Sequence, residues 1–397
     1  MTGRSEPGPD RLPGVVIVSA SIGAGHDGAA RELARRLTVG GFAVRRLDFL
    51  DMVPAGWRAV LRDGYAHQLR YAPATWGWLL GAASGPRSCA SASALSGRVA
   101  ANRMRAAIGP DPIAVVSTYP LAGQVLGRLR RSGLLAAPAI AVMTDPSVHP
   151  LCAAAGVDLH VGSGDAAVTA LRALGCGRAE RVGPVVDPAF QPSRGLADAY
   201  DARRRLGLPP IDRLAVVVAG SWGVGDVAAT VRDLAAIRSV TPVVVCGHNE
   251  RLRRQLSGHA IALGWVDDMP SLLRTADVVV HNAGGLSSLE AMASGVPVIS
   301  YRCLPGHGTA NAAVLAAAGL SPWPRSREEL AAVLRRAFTG DLLREQRAAY
   351  RDVSAAPDAA TLIAALAAPP TLIAPTVAGV VAGGVDRPVR EGDGSRL

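Results

Sequence analysis

Two series of short, continuously apolar runs constrain this chain more than any other feature. The first series is GVVIVSA (14–20), AVVST (114–118), AIAVMTD (139–145) and VDLHVG (157–162). The second is RLAVVVAG (213–220), TPVVVCG (241–247), AIALGWV (260–266), DVVVHNAG (277–284) and PVISYR (297–302). Strands that do not alternate apolar with polar residues need cover on both sheet faces, and the helical patterns between the runs supply it. The expected fold class is therefore α/β, with two Rossmann-like domains, each built on its own parallel sheet. A Pro/Gly-rich stretch, residues 183–210, separates the two series. We read a disordered N-terminus over 1–13, an N-terminal domain over 14–192, a C-terminal domain over 193–368 and a flexible tail over 369–397. Ligands of such folds bind outside the carboxyl ends of the strands, so the two domains are expected to share a cleft there.

The first strand runs into Gly23-Ala24-Gly25-His26-Asp27-Gly28, a G-x-G-x-x-G sequence, and Asp48 follows twenty residues after Gly28. The spelling and the strand-to-helix context are those of a dinucleotide site, with Asp48 on a ribose hydroxyl. His26 does not fit that picture. A helix N-terminus disfavours imidazolium, so His26 reads as a neutral general base.

The second domain carries two glycine-rich turns. In HNAGGLSSLEAMASG (281–295), Gly284 and Gly285 let backbone approach a ligand. Ser287 and Ser288 open a helix whose free N–H groups face it. Glu290, one turn in, is placed for a ribose diol. AGSWGVG (219–225), with Gly220, Ser221 and Gly223, is the second turn and is expected to hold further phosphate oxygens. Together they read as a nucleoside diphosphate site that needs no metal.

Composition removes several classes. The formal net charge is +10, and all 42 basic residues are arginine. That charge suits phosphate, yet no basic run or nucleic-acid motif is present, so nucleic acid is not an expected partner. Five cysteines (89, 152, 176, 246 and 303) lack C-x-x-C spacing, which argues against zinc and disulfides. The start of the chain does not read as a signal peptide. The longest uncharged run, between Asp358 and Asp386, is broken by Pro369, Pro370 and Pro375 and reads as a tail rather than a span. Within 54–80, Trp57, Leu61 and Tyr65 repeat on one helix face beside Arg58 and Arg62, a pattern suited to an interfacial helix on an anionic membrane.

The pieces SIGAGHDGAA, DFLD, MTDPSVHPLCAAAGVD, GPVVDPAF, GSWGVG, VCGHNERL, LGWVDDMPSLLRTADVVVHNAGGLSSLEAMASGVPVI and PGHGTAN stand in order along nearly the whole chain. In that order the sequence resembles the monogalactosyldiacylglycerol synthase and processive diacylglycerol glucosyltransferase group. The resemblance implies a GT-B fold, a UDP-sugar bound by the C-terminal domain and no metal cofactor. It also implies a diacylglycerol-type acceptor met by the N-terminal domain, at the cytoplasmic face of a membrane. On the matching positions it implies His26 as catalytic base with Asp145 beside it, or Asp145 as the base with His26 on a donor phosphate or the acceptor. Val266 would meet uracil, Glu290 the ribose, and Gly284, Gly285, Ser287 and Ser288 the diphosphate. Gly247, His248, Pro305, Gly306, His307 and Asn311 fall on further donor-side motifs. Where the galactolipid enzymes read P-G-Q-E-x-x-N, this chain has His307-Gly308 in place of Gln-Glu, and Asn282 stands where a lysine often precedes the glycine loop. The first bears on the donor sugar and on whether activity is altered or lost, the second on one phosphate contact. The rival readings are an NAD-dependent oxidoreductase using Gly23–Gly28, a UDP-sugar epimerase, and a UDP-sugar or lipid binder without catalysis.

Overall fold

The computed structural model describes residues 14–59, 61 and 100–367. Residue 60, residues 62–99 (with Arg62, Tyr65 and Cys89), the N-terminal 1–13 and the tail from 368 lie outside the described residues. Arg58 and Leu61, from the start of the aromatic segment, are described. Arg58 pairs with Asp51 at 2.9 Å and donates to the Leu50 carbonyl, and Leu61 packs on the first domain's core.

The first sheet has six strands: β1 (Gly14–Ser19), β2 (Ala43–Asp48), β3 (Ala114–Ser117), β4 (Ala139–Val142), β5 (Leu159–Ser163) and β6 (Ala179–Val182). Their order is β2-β1-β3-β4-β5-β6, all parallel. The second has five: β7 (Arg213–Val218), β8 (Val240–Val245), β9 (Ile261–Leu263), β10 (Val278–His281) and β11 (Val298–Ser300). Their order is β11-β10-β7-β8-β9, again all parallel.

The apolar runs are buried on both faces, as their lack of alternation requires. On β1, Val15 and Ile17 join one core cluster while Val16 and Val18 join another. On β7, Leu214, Val216 and Val218 separate in the same way from Ala215 and Val217. Successive side chains of a strand point to opposite faces, so each sheet carries two cores.

Two strands were not among the expected elements, β2 and β6. Both are edge strands. β2 carries Arg45 and Arg46, and β6 carries Glu180 and Arg181. Charge on an edge blunts pairing with other chains and hides the strand from a hydrophobicity reading. A second difference concerns the last helix, Ala359–Ala367, which the sequence placed with residues 193–368. Ala359, Ala360, Ile363 and Ala367 instead pack with Val15, Ile17 and Leu33 in the first domain's core. The chain therefore returns to the domain in which it began.

Strand order fixes where a ligand can lie. In the first sheet β1 lies between β2 and β3, so the connections leave it in opposite directions, and in the second the same happens at β7, between β10 and β8. At such switch points adjacent loops diverge and leave a crevice at the carboxyl ends of the strands. The loop after β1 leads into the helix that carries His26, and that after β3 holds Thr118. The loops after β7 and β10 are the two glycine-rich turns of the second domain.

Candidate active site

A cavity of about 620 Å³ opens at these two switch points, lined from both sheets. That volume lies within the range of small-molecule and cofactor sites. Of the residues singled out from the sequence, His26, Asp145, Gly220, Ser221, Gly247, Val266, Gly284, Gly285, Ser287, Glu290 and His307 line it. Gly223, His248, Ser288, Pro305, Gly306 and Asn311 do not. Ser288 is fully buried and its hydroxyl has no partner, so it faces the interior.

Helix α1 (Ala24–Val39) starts directly from Gly23 and carries His26 in its first turn. His26 Nδ1 lies 2.8 Å from the Thr118 carbonyl oxygen and 3.0 Å from the Thr144 hydroxyl. A carbonyl has no proton to give, so Nδ1–H donates to it. That fixes the tautomer and leaves the lone pair of the neutral ring on Nε2. Tyr119 packs edge-on against the ring at 5.4 Å. The orienting group of this histidine is therefore a backbone carbonyl, not Asp145.

The rest of the loop is not arranged as a pyrophosphate cradle. Asp27, one residue on, accepts from Ser19 and Ser21 hydroxyls at 2.7 and 2.9 Å, placing a carboxylate at the helix N-terminus. Asp48 accepts from the Leu50 N–H and, weakly, the Ser21 N–H, so it closes a turn. The Ala24 N–H is taken by the Ser221 hydroxyl of the other domain at 3.0 Å. Gly25 and Gly28 lie on the helix face that meets Leu286, and a methyl on Gly28 would stand 2.6 Å from Leu286 Cδ2. Gly28 thus lies at the approach of the second domain.

The Ser221 hydroxyl accepts the Ala24 N–H and keeps its own proton to donate into the cavity that it lines. Its neighbour Trp222, absent from the sequence reading, donates Nε1–H to the Ile22 carbonyl at 2.7 Å. These two bonds latch the 219–225 turn to the His26 loop. That turn does not open a helix at Gly223; α2 (Val227–Ala235) begins later, after Asp226. Gly223 and Gly247 instead interlock two turns. A methyl on either would lie 2.3 Å from the Cys246 carbonyl oxygen or 2.2 Å from that of Ser221. His248 stacks on Trp265 with ring centroids 4.4 Å apart, beside the wall that Trp265 and Val266 form.

Helix α3 (Leu286–Ala293) aims its N-terminus into the cavity through Gly284, Gly285 and Ser287. Gly284 has φ +74°, which favours glycine, and a Cβ there would stand a tight 3.1 Å from both Asn311 and His281. The free N–H groups and dipole of a helix end favour an anion. Asn282, at the lysine position, is buried and donates to the Val224 carbonyl at 2.7 Å, so it anchors the neighbouring turn instead. Among the described residues lining the cavity, the one arginine is Arg31, on α1.

Glu290, one turn into α3, has its carboxyl pushed up to about 7, first by burial and then by Asp187, with Arg31 acting in the opposite sense. His307 opens α4 (His307–Ala317). Burial holds it below its ordinary value; nearby Asp145 opposes this and His26 adds to it. His26, Asp145 and His307 thus lie within electrostatic reach of one another on the cavity wall. Gly308 explains why Glu is missing from the family pattern here. A Cβ would meet the Asn282 carbonyl oxygen at 2.9 Å and Leu304 Cβ at 3.0 Å, because α4 packs directly on that strand end. Among the described residues no group of three His, Cys, Asp or Glu is positioned to hold a metal ion, and no helix is long and apolar enough to cross a membrane.

Comparison with known proteins supports the fold. Residues 216–339 match the family model described as glycosyl transferases group 1. Over 212 residues, 51% of this chain and 54% of the relative, the sequence is 29% identical to the processive diacylglycerol beta-glucosyltransferase of Bacillus subtilis (strain 168). The chain spans about half the length of the curated relatives it matches. MurG of Acinetobacter baumannii is similar in structure, with a TM-score of 0.51 and 17% identity over 89% of this chain and 99% of that one. UGT89C1 of Arabidopsis thaliana, solved with UDP-L-rhamnose, gives 0.55 and 13% over 90% and 100%. The fold is GT-B, and the resemblance to the diacylglycerol glucosyltransferase group holds.

Proposed function

We propose that the chain is an inverting glycosyltransferase that moves a hexose from a UDP-sugar to a diacylglycerol-type lipid. The observation that carries this reading is His26. Its Nδ1–H is pinned to the Thr118 carbonyl, so its Nε2 lone pair is available on the wall of a cavity that also holds the α3 N-terminus and Glu290. The relative in Bacillus subtilis, a diacylglycerol glucosyltransferase by name, supports the acceptor class, and the neighbour bound to UDP-L-rhamnose supports the donor class.

In this reading Glu290 accepts the ribose hydroxyls and the Val266 backbone meets uracil. The N–H groups at Gly284, Gly285 and Ser287 take the diphosphate. His26 Nε2 removes the proton from the acceptor hydroxyl as its oxygen attacks the anomeric carbon. The bond from that carbon to the diphosphate breaks, and the charge that develops on UDP is met by the end of α3. Attack opposite the leaving group turns an α-linked donor into a β-glycoside. Asp145, beside the same loop, stabilises positive charge on the sugar and on His26. The acceptor approaches from the N-terminal domain at the cytoplasmic face of an anionic membrane, which the chain meets peripherally.

The departures at Asn282 and His307-Gly308 favour one second reading, a UDP-sugar binder without transfer. A thermal-shift series with UDP, UDP-glucose, UDP-galactose, UDP-N-acetylglucosamine and NAD tests the donor half of the proposal. A ligand at about a hundred times its Kd adds about 2.7 kcal/mol. Stabilisation by the UDP compounds and not by NAD is the expected result. Stabilisation by NAD alone contradicts it. Transfer to dioleoylglycerol in vesicles then separates an enzyme from a binder.

A further inference from the structure

Asn311 stands at the family's donor motif, yet it does not line the cavity. It is fully buried, and its amide makes four bonds, three of them reaching the other domain. Nδ2 donates to Asp145 Oδ1 at 3.2 Å and to the Ala283 carbonyl at 2.9 Å. Oδ1 accepts from the Ser147 N–H at 3.0 Å and from the Ser147 hydroxyl at 2.5 Å. The amide orientation is not arbitrary: a backbone N–H can only donate and a backbone carbonyl can only accept. No hydrogen-bonding capacity remains for a sugar hydroxyl.

These partners belong to different working parts. Ala283 precedes Gly284 in the loop at the α3 N-terminus. Asp145 and Ser147 belong to the loop after β4, in the other domain. Asp145 also abuts the glycine loop, since a methyl on Gly285 would lie 2.7 Å from its Oδ1. Asn311 itself lies one turn into α4, the helix that begins with cavity-lining His307.

We propose that Asn311 is a positioning residue that couples the donor half-site to Asp145 across the domain boundary. This rests on the glycosyl-transfer reading. Its amide holds the Asp145 carboxylate in register with the loop that receives the diphosphate, and so with the sugar carbon attached to it. A buried amide with every position filled transmits a loop shift as a change in bonding rather than absorbing it. The residue acts through Asp145 and touches neither donor nor acceptor.

The test compares wild type, Asn311→Ala, Asp145→Asn and the double variant. Hexose transfer from UDP-glucose or UDP-galactose to dioleoylglycerol vesicles gives kcat, and calorimetry gives the Kd of the same donor. Coupling predicts that Asn311→Ala lowers kcat about 10- to 100-fold and leaves the donor Kd within about threefold. In the Asp145→Asn background it costs nothing further, because the two residues act as a unit. Donor affinity falling in step with kcat overturns the proposal in favour of direct donor contact. Losses that multiply in the double variant overturn it in favour of a scaffold role. Asn311→Asp keeps the shape but turns an acceptor towards Asp145 and Ala283, and it predicts the same pattern if Asn311→Ala does not fold. A wild type that neither binds nor transfers a UDP-sugar contradicts the glycosyl-transfer reading itself, and shows before any variant is made.

Discussion

Gly28 and Leu286 meet across the domain boundary: a Cβ on Gly28 would stand 2.6 Å from Leu286 Cδ2, so an added methyl requires the Leu286 side chain to move. The third glycine of a sequence that spells a dinucleotide fingerprint is thereby accounted for by contact between α1 and the helix whose N-terminus faces the cavity. Gly28→Ala is expected to cost no more than about 1 kcal/mol, because the displaced Leu286 methyl can turn away. Leu286→Ala in the same chain restores part of that loss by opening the space. Denaturant midpoints on the two single variants and the double check this. Strictly additive losses contradict the contact.

Glu290 gives a pH dependence with a definite sign. Its carboxyl is raised to about 7, so below that pH it is mostly protonated in the free protein. A carboxylate that accepts two ribose hydroxyls must be ionised, so UDP-glucose affinity falls as pH drops below about 7, approaching tenfold per unit. Both phosphates of UDP-glucose are diesters and do not titrate there. Glu290→Gln binds more weakly at pH 8 and loses the pH dependence. It also melts higher at pH 8, because it removes a charge that burial disfavours. Calorimetric titrations from pH 5.5 to 8, together with melts, check both halves. Affinity that rises on acidification contradicts the role.

Arg31 makes no hydrogen bond or ion pair with a described residue, lines the cavity, and is the one arginine there among the described residues. The chain has no lysine, and Asn282 is committed to the Val224 carbonyl. Arg31 is thus the positive charge on that wall, supplied by the opposite domain. Arg31→Ala is expected to weaken UDP about 5- to 10-fold at low salt, less at high salt, and to leave uridine nearly unchanged. Equal losses for UDP and uridine contradict a phosphate role.

Gly223 and Gly247 lock two turns of the second domain together through each other's neighbouring carbonyls. Both have positive φ, +52° and +57°, and the opposing atoms are backbone, which cannot swing away. Gly247→Ala is expected to lose more than about 2 kcal/mol of stability. An urea midpoint close to wild type contradicts the interlock.

Much of the architecture was legible because buried parallel strands announce themselves as unbroken apolar runs. What stayed hidden was of two kinds. The edge strands β2 and β6 carry arginines and a glutamate where the central strands carry valine, so hydrophobicity does not mark them. Contacts between domains are the other kind. Nothing in the order of residues shows that Trp222 reaches Ile22, that Ser221 reaches Ala24, or that Asn311 reaches Asp145. Those three lie 200, 197 and 166 residues apart. Motif matching sent Asn311 to the donor, whereas its side chain is spent on holding the cleft. Glycine loops mislead in the same way, because close approach to a phosphate and close approach to another chain segment demand the same residue.

The central claim is that His26 Nε2 serves as the base for glycosyl transfer, and one measurement bears on it most directly. Hexose transfer from UDP-glucose and UDP-galactose to dioleoylglycerol in anionic vesicles is followed for wild type and His26→Ala, with UDP binding recorded for both. The account predicts glycolipid from the wild type, a loss of about 100-fold or more in His26→Ala, and nearly equal UDP affinity in the two. Transfer by His26→Ala at the wild-type rate would contradict it.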